Sequence, residues 1–335
     1  MARAVFACVV AMAVSVGMAV EAQQTRRWVL ARTADGHPDF QGYWTTQTFT
    51  PLQRPPRFAG REFLTDAEMA EFQRLLSRPD VDPLVTGVLA ADDSTREKAV
   101  EQNDPTHYDN AMWLQTSRPK MLTTRRTSLI VDPPDGRLPP LTPEGQQRAA
   151  ARRANYGFDS YENRPYQERC VVWTHEGPPM MPPPYNDLLQ ILQSPGYVTI
   201  LREVSTNLPR LIPTTGRLAP SAGLRQWAGV SQGRWEGDTL VVETTNFNEK
   251  VAFMGGSTGM RVVERFTRTD ADTIVYRFTV SDPATWTAPW TAELPMLRTE
   301  GPLHEYTCHE ANYGLENILR GARVADAKGG SPAAK

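Results

Sequence analysis

Arg261-Val-Val-Glu-Arg-Phe-Thr-Arg-Thr-Asp-Ala-Asp-Thr-Ile-Val-Tyr-Arg-Phe-Thr-Val280 decides the fold class. Ile274, Tyr276, Phe278 and Val280 alternate with Val275, Arg277 and Thr279, a period of two held over a full strand. Arg261 to Thr269 forms the preceding strand, and Asp270-Ala-Asp272 supplies the residues of a tight turn. Two strands joined this closely must be antiparallel, because a parallel crossover needs a dozen or more residues.

Working outward, the same grammar repeats. Trp227 to Trp235 and Thr239 to Thr245 flank the turn Glu236-Gly-Asp238, and Trp290 to Arg298 is followed by His304 to Glu310, which we expect as a last strand. Upstream, Leu188 to Leu192 and Tyr197 to Leu201 flank Ser194-Pro-Gly196, and Arg210 to Pro213 suits a short edge strand. Arg126 to Val131 is a further strand, stopped by Asp132-Pro-Pro-Asp-Gly136. Short turns leave no room for crossover helices. The expected fold is therefore mainly β, an antiparallel meander forming a barrel or sandwich, with a few short helices in the N-terminal half. Thr65-Asp-Ala-Glu68 is a capping box opening a helix that runs to about Ser77, and Thr142-Pro-Glu opens a second that runs to Arg153. Asp39 to Thr46 alternates as a short strand does. Glu176-Gly-Pro-Pro-Met-Met-Pro-Pro-Pro-Tyr185 suits a stiff extended connector, and Met254 to Gly259 a mobile loop at the barrel mouth. The expected organisation is 1–22 signal peptide, 23–122 irregular covering region with a short helix, 123–320 barrel-like domain and 321–335 flexible tail.

Arg3, the apolar run Ala4 to Val20 and the small residues of Val20-Glu21-Ala22 make an export signal cleaved after Ala22. Periplasmic or secreted localisation follows, and no later stretch is apolar enough to span a bilayer. Cleavage removes Cys8 and leaves Cys170 and Cys308, which in an oxidising compartment are expected to pair. Such a bridge closes a long loop, worth about 5 kcal/mol on the chain-entropy model. A net charge of -2 implies no broad basic face, which argues against a nucleic-acid partner.

Leu129-Ile-Val-Asp-Pro-Pro-Asp-Gly-Arg137, Gly233-Arg-Trp-Glu-Gly-Asp-Thr-Leu-Val-Val-Glu-Thr-Thr-Asn-Phe247, Val263-Glu-Arg-Phe-Thr-Arg268 and Tyr306-Thr-Cys-His-Glu-Ala-Asn-Tyr-Gly314 carry a resemblance. Together they resemble a large family of exported, uncharacterised (hypothetical) bacterial proteins with RWEGDTLVVETTNF-like and CHEANYG-like motifs. The resemblance covers nearly all of the chain after residue 22 and implies export and one continuous β-rich unit. It implies no activity. Family members often carry His-Asp after the second strand of the 188–201 hairpin. Here Glu203-Val-Ser-Thr-Asn-Leu-Pro-Arg210 has no His, so a role resting on that His is absent or altered.

Chemistry is sought first in the C-terminal cluster. On a strand, His304, Tyr306, Cys308 and Glu310 would share one face, and Glu305, Thr307 and His309 the other. A His and a carboxylate on one face suit general acid–base work, because imidazole titrates near neutrality. A disulfide through Cys308 would bring His175 and Glu176 within about 20 Å of this cluster. The catalytic candidates are thus His309, Glu310, His304, Glu305, His175 and Glu176. Tyr185, Trp227, Trp290 and Tyr313 are candidate walls for an aromatic or sugar-like ligand. No cofactor is expected, and a divalent metal is left open, though the His spacing is not that of a helical zinc protease. Gly255-Gly-Ser-Thr-Gly259 matches Gly-x-Ser-x-Gly in letters, but it connects strands and opens no helix, so no nucleophile elbow is read there, and P-loop and dinucleotide motifs are missing. Three functions stand: an exported enzyme using His/Glu acid–base chemistry in a β-barrel pocket for hydrolysis, elimination or isomerisation of a small molecule, a non-catalytic barrel that carries a ligand in the same interior, and a structural exported domain.

Overall fold

The computed structural model describes residues 28–77, 122–173, 176–182, 187–204, 209–216, 221, 223–251, 253–310 and 312–329. Residues 1–22, expected as an export signal, His175, Tyr185 and the 79–120 stretch lie outside the described residues. Ten strands are present among the described ones: β1 (Gly42–Thr45), β2 (Ile130–Asp132), β3 (Leu188–Ser194), β4 (Tyr197–Arg202), β5 (Arg210–Pro213), β6 (Val230–Glu236), β7 (Thr239–Thr245), β8 (Arg261–Arg268), β9 (Thr273–Ser281) and β10 (Trp290–Thr299). Nine of them follow one antiparallel path, β5-β4-β3-β1-β10-β9-β8-β7-β6, and β2 pairs with the first part of β10. The sheet curls into a nearly closed barrel. Mainly antiparallel β is thus correct, and of the two architectures the barrel is the one adopted.

An odd number of alternating strands has a geometric consequence. The two edge strands, β5 and β6, run in the same direction and share no ladder. Side chains close that seam instead. Arg210 Nε donates to Ser231 Oγ at 2.9 Å. Gly233 lets β5 approach, since a Cβ there would lie 2.9 Å from Ile212 Cγ2.

Alternation sends one set of side chains inward on every strand. Leu240, Val242, Val262, Phe266, Ile274, Tyr276, Phe278, Trp290, Leu294, Trp44, Leu189 and Ile200 belong to one core and fill the barrel. Trp290, expected as a ligand wall, is fully buried there, edge-on to Phe278 and Trp286 and stacked on Phe253. A second, smaller core of Phe58, Leu64, Phe72, Leu76 and Leu122 lies under helix α1 (Asp66–Leu76). The capping box is formed as expected: Thr65 Oγ1 accepts from Glu68 N–H, and the Glu68 carboxylate accepts from Thr65 N–H. Helix α2 (Pro143–Ala154) starts behind Thr142, whose side chain accepts from Gly145 N–H.

Four expectations need correction. The N-terminal region is not merely a cover, since β1 sits in mid-sheet between β3 and β10. His304 to Glu310 is no strand. β10 already pairs with β1 on one side and with β9 on the other, so a following strand finds no free edge. The chain instead runs irregularly over the barrel wall, with Gly301 tight against the Tyr43 ring. Residues 321–327, expected as flexible tail, belong to helix α3 (Tyr313–Ala327), capped by the Asn312 side chain. The Gly-rich loop is pinned: Asp282 accepts from Ser257 N–H at 2.6 Å and from Ser257 Oγ at 2.7 Å. No described helix is long and apolar enough to cross a membrane.

Candidate active site at the barrel mouth

The two ends of the barrel differ. At one end the hairpins β3–β4, β6–β7 and β8–β9 turn tightly. At the other, the mouth, β4, β7 and β9 finish and the longer connections begin. The segment Glu176 to Met181 enters the mouth. Met180 joins the barrel core. Its N–H donates to Tyr276 Oη at 2.9 Å. The Tyr276 hydroxyl donates to Glu264 Oε1 at 2.7 Å, and Glu264 forms a two-point ion pair with Arg210. Arg210 also donates to Thr244 Oγ1 at 2.9 Å. Every member of this inner network has a partner, which is what makes so polar a cluster tolerable in a core. Burial, together with the neighbouring Glu264 charge, holds the Tyr276 hydroxyl well above its usual range.

Above the network lies a cleft of about 370 Å³, whose lining includes Glu176, Arg202, Glu203, Arg210, His304 and Glu305. Strand β4 ends here, and its last residue, Arg202, and the next, Glu203, line the cleft. Arg202 is desolvated, which pulls its guanidinium down to about 10 against the attraction of Tyr276, Glu176 and Asp187. It stays cationic at neutral pH. Its Nη2 donates to Met181 O at 3.3 Å, while its buried Nη1 has no hydrogen-bond partner among the described residues. Glu203 is buried, and burial pushes its carboxyl up, opposed by the His304 N–H that it accepts at 3.4 Å. Nearby Asp187 adds to the upward push and is itself bonded by the Thr45 hydroxyl.

The Cys170–Cys308 disulfide is formed and straps the C-terminal segment beside this cleft. Asn312 reinforces the strap by donating to Glu168 O at 2.9 Å. Of the expected catalytic groups, Glu176, His304 and Glu305 are brought together in the cleft. His309 and Glu310 are exposed on the strap, and neither lines the cleft. The expected division into two strand faces fails with the strand. Trp227 is half-buried, its ring edge-on to Tyr166 at 5.1 Å, in a groove adjoining the cleft. Tyr313 opens α3, is 68% exposed, and lines none of the depressions at the mouth.

Arg202 and Glu203 were missed by sequence reasoning. The signal was partial: Glu203 stands in the stretch where the resembled family often has His-Asp, and that departure read as a loss. Among the described residues, no group of three or more His, Cys, Asp and Glu side chains is placed to hold a metal ion. The chain matches no family model, no curated protein and no solved structure.

Proposed function

We propose that this is an exported enzyme that transforms a small polar molecule in the mouth cleft, with Glu203 as the proton donor. One observation carries the proposal: a buried carboxyl, shifted upward by desolvation, faces a cleft that also holds a cationic Arg202 and His304. A carboxyl with a raised pKa keeps its proton nearer to neutrality, as a general acid must. Arg202 would hold developing negative charge, and His304 would accept or relay a proton at the rim. Hydrolysis, elimination and isomerisation all use such a set. The disulfide supports an oxidising compartment and therefore export, and the four long sequence motifs support kinship with the exported bacterial family.

Glu203→Gln keeps shape and hydrogen bonding but cannot cycle a proton. Turnover of a substrate found by thermal-shift screening should fall by about 100-fold or more, the usual scale of general acid catalysis. Wild-type turnover should fall as pH rises through the raised Glu203 value, and that limb should vanish in Glu203→Gln. Unchanged turnover removes Glu203 from the mechanism.

A second reading is favoured by the filled barrel, which leaves a cleft at the mouth and not a deep chamber: the protein binds this ligand without transforming it. Ligand binding without turnover in the wild type, unaffected by Glu203→Gln, would establish it.

A further inference from the structure

We infer that the ligand is a neutral oligosaccharide lying in a trough that crosses the mouth, with the Glu203 cleft as its middle subsite. The inference rests on the mouth cleft being the functional site and names its substrate class. Three depressions adjoin. One of about 470 Å³, walled by Trp173 and Tyr306, shares Glu305 and Tyr306 with the cleft. A groove of about 600 Å³ beside Trp227 shares Pro209, Arg210 and Ala228 with it. The cleft is therefore open at both flanks, and each flank carries partly exposed aromatic rings.

The chemistry of the trough selects among polymers. Aromatic faces give flat apolar platforms that suit sugar rings. Planar polar groups stand beside them, with Gln167 and Asn312 on one flank and Gln226 on the other. No single sign of charge runs along it. Glu176, Glu203 and Glu305 are interspersed with Arg202 and Arg225, while Glu168 is paired with Arg164 and Arg210 with Glu264. A polyanion or polycation would meet its own sign at some subsite, whereas an uncharged hydroxylated chain meets donors and acceptors throughout.

The test is calorimetric titration of the purified protein with cello-, xylo-, manno- and chito-oligosaccharides from disaccharide to hexasaccharide. A proline-rich peptide, the other polymer that suits aromatic grooves, is run in parallel. One sugar series should bind, with affinity rising about tenfold or more along it. Trp227→Ala, which touches one flank alone, should weaken the hexasaccharide by about three- to tenfold and leave the disaccharide unaffected, whereas Tyr306→Ala, which borders both a flank and the cleft, should weaken both. Tyr306→Phe, which keeps the ring, should bind as wild type, and melting curves check that each variant folds. Binding by no series, affinity independent of length, or peptide binding in place of sugar overturns the inference. The two proposals fail separately. Turnover that depends on Glu203 without length dependence removes the trough alone. Length dependence with turnover insensitive to Glu203→Gln removes the proton donor alone.

Discussion

The meander β6–β10 and the C-terminal strap from 300 to 312 follow one another in the chain and are held by opposite means. Each strand of the meander pairs with its sequence neighbour, so backbone hydrogen bonds and inward side chains are supplied locally. Its alternation matches its burial almost residue for residue. The strap has no ladder. It is fixed by a disulfide to Cys170, by Asn312 and by a backbone contact to Glu203. The wall is rigid by its own pattern, while the mouth is assembled from distant segments tied to it. A candidate site built that way can vary its residues without disturbing the barrel.

The comparison is broken most severely by striking the wall from inside. Glu264→Ala should cost about 3–5 kcal/mol, because it leaves Arg210 without its buried partner. Chemical denaturation measures this, and a loss below about 1 kcal/mol would mean that water compensates Arg210. Loss of the disulfide, through paired Cys170→Ser and Cys308→Ser, should cost about 2–4 kcal/mol, with hydrogen-exchange protection falling in 300–312 and not in β7–β9. Equal loss in both regions would erase the distinction between wall and strap.

Tyr276→Phe sharpens the comparison, since its hydroxyl joins the wall to the entering Met180 segment. It should cost about 1–3 kcal/mol and weaken ligand binding at the cleft, measured by denaturation and titration together. The smallest effect lies outside both regions. Thr65→Ala should cost about 1 kcal/mol by unmaking the α1 cap. The hydrogen bond from Arg61, helped by Thr65 N–H, holds the partner Glu68 at about 2, below its ordinary 4.5. That stabilisation is complete above 4.5 and is lost as pH falls towards 2, and because Thr65→Ala keeps both Arg61 and the residue-65 N–H, variant and wild type should lose most of it in parallel. Glu203 has the opposite sign. Its raised pKa favours the fold at low pH, and that small contribution disappears as pH rises through the folded value.

Legibility followed the range of the interactions. The hairpins β3–β4, β6–β7 and β8–β9 and the starts of α1 and α2 were readable, because turn and cap residues act over two to four positions. The position of β1 was not, since its partners are Leu188 to Ile191 and Leu297 to Thr299. The site was half legible. Glu176 follows from the cysteine pair, which the disulfide does bring beside the C-terminal segment. His304, Glu305, His309 and Glu310 were all read on a strand geometry that needs a sheet edge which β10 does not offer, and of these only His304 and Glu305 line the cleft. Arg202 and Glu203 look, in sequence, like the polar end of any hairpin.

By itself, the sequence determined the strand periodicity, the turns, the helix caps and the cysteine pair, because each is a matter of local stereochemistry or of simple counting. Tertiary structure alone decided that nine alternating strands meet at a parallel seam, that β10 has no free edge, and that the end of β4 faces the strapped C-terminal segment. Those facts rest on pairings across a hundred residues or more, where the hydrophobic pattern says only which face is buried and never against what.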